Sequence, residues 1–311
     1  METGALETRL SSELREFELE AFLLQLEVDG LCVVPPEKTG VDPETIRAIR
    51  EQLLCEAEEL VGCRFDLETG PEAELTMNTD DNVIARSTGD DGEPTQFLVQ
   101  QLCARHRLFR DLAINPVALA LIRHLIGRNA TRFSSHNAFV KWQGEFGYGS
   151  NLGLHCDQLA VPRPWGRNAL TANTNWCLTD YTLDGGALAY VPGSHRRMEP
   201  PRFPEAVELA VPVEAPAGSL IVFHGATWHG AFPRHTSGMR LSIANYFRHY
   251  MILPQDDIKN LFPRDLADDC SNPELFSFLA GFADEFPYSQ QTERVPRLTS
   301  SDTCSRPQRR R

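Results

Sequence analysis

The sequence predicts a mainly β protein with an α-helical N-terminal portion. Three observations carry this. From Thr131 onward, short runs rich in Val, Ile, Phe, Thr and Trp alternate with Gly, Pro, Asn and Asp at the spacing of an antiparallel sandwich or barrel. Before Thr131, apolar residues recur at helical spacing behind recognisable cap residues. The composition of the 311 residues, 41% hydrophobic and 23% charged, is that of an ordinary globular chain, which excludes fibrous and largely disordered classes.

The elements follow in order. Leu14, Phe17, Leu23 and Leu26 predict a helix over 11–26, which Asp29-Gly30 stops before a first strand at Leu31-Cys32-Val33-Val34. Asp42-Pro43 is an N-cap followed by a first-turn proline, and Ile46, Ile49, Leu53, Ala57 and Leu60 form one stripe, so a second helix spans 43–61. Segment 66–93 is acidic, with Arg86 as its lone base, and carries Gly70-Pro71, Gly89 and Gly92; it reads as a loop or lid. Asn115-Pro116 opens a helix that Gly127 ends, with Val117, Leu121 and Leu125 on its packing face. Strands are expected over 131–142, 152–160, 171–179, 187–191, 209–213, 219–224 and 240–248. Residues 1–130 form a helical part packing on a β core at 131–250, 251–287 a helical cover and 288–311 a disordered tail ending in arginines, all one structural domain.

With 43 acids against 30 bases the net charge is -13, which repels polyphosphate and disfavours nucleic acid and anionic membrane as partners. A small-molecule substrate held in a pocket is expected instead; nothing in the chain speaks to an oligomeric partner. The N-terminus lacks a secretory signal pattern, no apolar run reaches membrane-spanning length, and eight dispersed cysteines without a CxxC pair fit reduced thiols, so a cytoplasmic protein is expected.

The chemistry concentrates in a few residues. His155-Cys156-Asp157 places an imidazole and a carboxylate on one face of an extended segment. His229, just past the run ending at His224, supplies a second imidazole; two histidines and one carboxylate make a facial triad that leaves open positions on Fe(II). His224 is the competitor for that role. Pro233, Ser237 and Gly238 suggest a hairpin in which Arg240 lies opposite His229, where its planar fork could hold the far end of a short dicarboxylate. Trp142, Tyr148, Trp176 and Trp228 are candidates for lining a substrate pocket, with core packing as the alternative.

Over about 131–250 the chain resembles the phytanoyl-CoA dioxygenase family of non-haem Fe(II)/2-oxoglutarate oxygenases. The residues that carry the resemblance are His155-x-Asp157, His229, Arg240 and the turn Asp184-Gly185-Gly186-Ala187-Leu188-Ala189-Tyr190-Val191-Pro192-Gly193-Ser194-His195. The resemblance implies a double-stranded β-helix (jelly-roll, cupin-like) core flanked by helices. It implies Fe(II) on His155, Asp157 and His229, 2-oxoglutarate held by Arg240 with Asn137 and Lys141 as helpers, and O₂ as oxidant. It gives His195 no ligand role. The implied reaction hydroxylates an unactivated C–H bond of a small organic molecule, whether lipid-like, amino-acid-like or a natural-product intermediate, with succinate and CO₂ as co-products. Desaturation, epoxidation, rearrangement, or metal or ligand binding without turnover remain alternatives. Two positions depart from many relatives: Cys156 stands where they carry Gln, and Ala231 where they carry a Ser that touches the cosubstrate.

Overall fold

The structure, a computed structural model, describes residues 12–73, 96–144 and 149–282. The strands, in chain order, are β1 (Leu31–Val34), β2 (Phe65–Asp66), β3 (Gly70–Pro71), β4 (Gln96–Val99), β5 (Thr131–Gly144), β6 (Thr171–Cys177), β7 (Leu188–Tyr190), β8 (Val211–Val213), β9 (Leu220–His224), β10 (His229–Ala231) and β11 (Arg234–His249). All pairings are antiparallel. A large sheet runs β1-β9-β6-β11-β5-β4, a small one β10-β7-β8, and β2-β3 forms a separate hairpin.

Strand alternation divides the large sheet into two faces. Ala138, Val140 and Trp142 of β5, Trp176 of β6 and Leu241, Ile243 and Phe247 of β11 enter one apolar cluster with the helices. On the other face, Cys177 of β6 clusters with Leu188 and Val213 of the small sheet. Against the apolar face lies the helix Pro116–Ile126, whose Asn115 side chain accepts from the Ala118 amide at 3.0 Å. The helix Pro43–Val61 is capped by Asp42, which accepts from the Thr45 amide at 2.9 Å. Both helices and strand β1 keep the bounds expected from the sequence because their caps are local. On the C-terminal side, Phe276 of the helix Pro273–Ala280 packs on Phe133 at 5.4 Å.

Four expectations change. The predicted N-terminal helix is two, Ser12–Glu16 and Glu20–Asp29. Leu14 and Leu19 stand five residues apart, about 140° round a helix, yet both are buried; the break, with Glu18 at φ 53°, lets both reach the core. Segment 152–160 is not a strand: His155 makes one antiparallel bridge to His229, and Asp157–Ala160 is a 3₁₀ turn. Strand β4 and the helices Leu102–Arg105 and Arg107–Ala113 were not expected. Of the acidic 66–93 segment, the described part begins with the β2-β3 hairpin, whose Phe65 packs on Phe97 and Trp142. Residues 74–93, Tyr148 and the arginine-rich tail lie outside the described residues. Among the described residues no helix is long and apolar enough to cross a membrane.

Candidate metal centre

The site starts from a fully buried strand. Leu220–His224 is followed by a tight turn in which the Thr227 amide donates to the His224 carbonyl at 2.8 Å. Trp228, with no exposed surface, then anchors the chain by donating from its ring nitrogen to the Glu199 carbonyl at 2.7 Å. His229 follows in β10. Its amide donates to the His155 carbonyl at 2.8 Å, and the His155 amide returns a bond to the His229 carbonyl at 2.9 Å. The two histidines are thus a hydrogen-bonded cross-strand pair whose rings lie 4.4 Å apart. Gly230 permits this approach, since a Cβ there would lie 2.1 Å from the Leu152 carbonyl oxygen. Cys156 has extended dihedrals (φ -136°, ψ 141°), so the alternation that puts Asp157 beside His155 operates without a continuous strand.

The donor atoms of His155, Asp157 and His229 all lie within 4.8 Å of one another. The Nε2 atoms of His155 and His229 each stand 3.5 Å from one carboxylate oxygen of Asp157. That is too long for a hydrogen bond and close to the roughly 3 Å that separates neighbouring donors bound to one ion at bonds of about 2.1 Å. Each Nδ1 faces a backbone carbonyl, Gly153 at 2.8 Å and Thr227 at 3.0 Å, which keeps the proton on Nδ1 and leaves the Nε2 lone pairs free. Burial, partly opposed by Asp157, pushes His229 down to about 4, so it is a neutral donor at physiological pH. Burial would raise Asp157, but His229, His155 and a hydrogen bond from Asn173 outweigh it and hold the carboxyl below its ordinary value. On His155 burial is outweighed by Asp157, and the group is raised. Two neutralisable imidazoles and one carboxylate, all converging, fit a divalent transition metal.

The triad opens on a cavity of ≈ 140 Å³ between the two sheets. The large sheet contributes Ser135, Asn137 and Phe139 from β5, Asn173 and Asn175 from β6, and Arg240, Ala244 and Tyr246 from β11. Arg240, 3% exposed, donates to the Gly186 carbonyl at 2.7 Å and lies 5.0 Å above the Tyr181 ring. Its cross-strand partner is Lys141, fully buried, which donates to the Phe232 carbonyl at 2.6 Å. Arg234, also buried, bonds the carbonyls of Gly185, Ser237 and Gly238. Among the described residues, the hydrogen-bond acceptors of these three buried side chains are all neutral carbonyls. Burial, with Arg240 and Arg234 adding to it, pushes Lys141 down to about 6.

The expected Arg240–His229 hairpin does not exist. β10 pairs with β7, and β11 pairs with β5 and β6, because the chain crosses from the small sheet to the large one at Phe232-Pro233, where proline has no amide to continue a ladder. Arg240 and His229 meet across the cavity instead. Asn137 lines it, with its side-chain oxygen buried and unpartnered, whereas Lys141 stands behind Arg240. Trp142 and Trp176 belong to the helix-facing core and Trp228 to a separate apolar cluster, so none of the three lines this cavity. His224 points the other way, its ring 5.4 Å from that of His195 in a second hollow, and is not among the converging donors. Sequence reasoning missed Asn173, Asn175 and Tyr246. The signal was available: two asparagines at i and i+2 inside the β-type run 171–177, where Asn is disfavoured.

The family model described as Phytanoyl-CoA dioxygenase (PhyH) matches residues 26–242. The dioxygenase af480 of Aspergillus fumigatus is 31% identical over 193 residues, which cover 61% of this chain and 60% of that protein. The match therefore spans less than two thirds of the fungal relative. Among solved structures, the epimerase SnoN in complex with Fe³⁺, α-ketoglutarate and nogalamycin RO superposes with a TM-score of 0.56 at 21% identity, covering 76% of this chain and 87% of that one. The carbocyclase SnoK from nogalamycin biosynthesis gives 0.52 at 18% identity, covering 75% and 85%. These likenesses establish a shared jelly-roll fold.

Proposed function

This chain belongs to the phytanoyl-CoA dioxygenase family, and on that premise we propose that it is an Fe(II)/2-oxoglutarate-dependent dioxygenase. It hydroxylates an unactivated C–H bond of a small organic molecule, releasing succinate and CO₂, and works in the cytoplasm. The observation that carries the reading is the convergence of His155, Asp157 and His229 on a cavity that also receives a buried arginine.

His155, Asp157 and His229 would hold the iron, and Arg240 the distal carboxylate of 2-oxoglutarate. The bound iron and cosubstrate supply the oxidising chemistry with O₂. The chain's own contribution is geometric and electrostatic. Paired backbone bonds fix the two imidazoles, and their Nδ1 contacts fix the tautomers. Arg240 brings a buried guanidinium to one end of the cavity, so a dicarboxylate would supply it with a counter-charge. The apolar Phe139, Leu188 and Phe223 keep water from the other walls. The epimerase and carbocyclase names of the solved neighbours indicate that one fold serves several outcomes, so hydroxylation is the member of that set to be tested by product analysis.

The test is anaerobic addition of Fe(II) and 2-oxoglutarate, followed by the weak visible charge-transfer band of the chelate. The band is expected in wild type and in His224→Ala, and absent in His155→Ala and His229→Ala. Loss in His224→Ala with retention in His229→Ala would overturn the ligand set.

A further inference from the structure

Asp157 is the triad member outside the backbone bridge that joins the two histidines. His155 and His229 lock one another through the backbone, whereas Asp157 opens a 3₁₀ turn. Two residues of the large sheet reach it. Asn173 on β6 donates from its amide nitrogen to Asp157 Oδ2. Tyr246 on β11 donates its hydroxyl to the Asp157 backbone carbonyl at 3.1 Å. Tyr246 and Asn173 are direct cross-strand partners, so side chain and main chain of Asp157 are gripped from one point on the sheet. That point is rigid: β6 is buried along its whole length and lies between β9 and β11.

We propose that Asn173 is a positioning residue for the metal carboxylate, with Tyr246 as its support: its amide occupies Asp157 Oδ2, so the ion is met by Oδ1 alone. This rests on the reading of the triad as an iron site. A carboxylate with both oxygens free can chelate an ion or lean onto the nearby imidazoles, whose Nε2 atoms stand 3.5 Å from its two oxygens. A donor committed to one oxygen removes both options and leaves coordination positions for a bidentate cosubstrate and O₂. The donor is neutral, which matters as much as its place. A Lys or Arg there would cancel the single negative charge the protein offers a divalent ion, whereas a carboxamide orients the carboxylate and leaves its charge intact.

The experiment is Co(II) titration of the metal-free 311-residue chain, read by calorimetry and by the d–d absorption bands, with the apoprotein melting temperature measured alongside. Removing an outer-shell partner typically weakens metal binding about tenfold to a hundredfold, and that loss is expected for Asn173→Ala, with weaker d–d bands as Asp157 takes up a second coordination position. Asn173→Gln, which keeps the amide, regains part of the affinity, and Tyr246→Phe gives a smaller loss. Cobalt affinity within threefold of wild type and unchanged bands in Asn173→Ala overturn the proposal. Should that variant not fold, Asn173→Ser, too short to reach Oδ2, is judged by the same criterion. Tight wild-type binding with unaffected variants removes the positioning role alone; a wild type that binds no cobalt removes the metal-site reading with it.

Discussion

Replacing Arg240 by Met keeps most of the side-chain volume and removes the charge, so it isolates what the guanidinium contributes. Arg240 is 3% exposed and, among the described residues, its hydrogen-bonded partner is the neutral Gly186 carbonyl, so a bound carboxylate would give it an anionic partner. Truncating one side of a buried hydrogen-bonded charge pair costs about 2–5 kcal/mol. At about 1.4 kcal/mol per factor of ten this is roughly thirtyfold to several-thousandfold in affinity. The structure favours the lower part of that range. Lys141 stands directly opposite in the ladder, and Arg240 is one of the groups that depress it, so removing Arg240 lets Lys141 hold a proton more readily and replace part of the lost charge. An affinity loss of about thirty- to three-hundredfold for 2-oxoglutarate is therefore expected. Arg240→Lys should fall between, because an ammonium keeps the charge and loses the fork. The assay is anaerobic 2-oxoglutarate titration of the Fe(II) protein followed by the chelate band, with Co(II) affinity as the control for an intact triad. A dissociation constant within threefold of wild type in Arg240→Met would refute the assignment, and so would equal loss of cobalt binding.

Three further outcomes follow from the same geometry. Gly230→Ala forces a Cβ to 2.1 Å from the Leu152 carbonyl oxygen; overpacking of this kind costs roughly 1–3 kcal/mol, and the strain falls on the bridge joining His155 to His229, so both melting temperature and chelate band should drop, and an unchanged pair of values would contradict this. Lys141 has a folded value of about 6 against an ordinary 10.5, so the unfolded chain binds the extra proton between those limits. Its contribution to stability therefore rises with pH across that window, at up to about 1.4 kcal/mol per unit, and chemical denaturation of Lys141→Met at several pH values should show a flatter profile than wild type; parallel profiles would count against a neutral buried lysine. Ala231 lines the cavity, at a position where the family resemblance implies a serine touching the cosubstrate. Ala231→Ser should tighten 2-oxoglutarate binding about twofold to tenfold, the scale of one added hydrogen bond, and weaker binding would place the cosubstrate elsewhere.

The elements legible in the sequence are those specified by a few adjacent residues. Asp42-Pro43 and Asn115-Pro116 start their helices where caps predict, and Gly30 ends the helix before β1 with φ 79°. His155, Asp157, His229 and Arg240 could be picked out as candidates, because metal and carboxylate chemistry restricts the residue types that can serve, and the structure brings all four to one cavity. What the sequence left open was which residues meet. The partner of β10 depends on the chain crossing between sheets at Pro233, and the separation of Trp142 and Trp176 from the cavity depends on which face of the large sheet each occupies once β5, β6 and β11 are in register. Asn173 and Tyr246 are adjacent only through that register, though far apart along the chain. Local signals act through a turn or two of backbone, whereas contact across a sheet is chosen by packing the whole core, so the candidate triad could be read from its chemistry while the residues that bond to Asp157 appear only when the strands are paired.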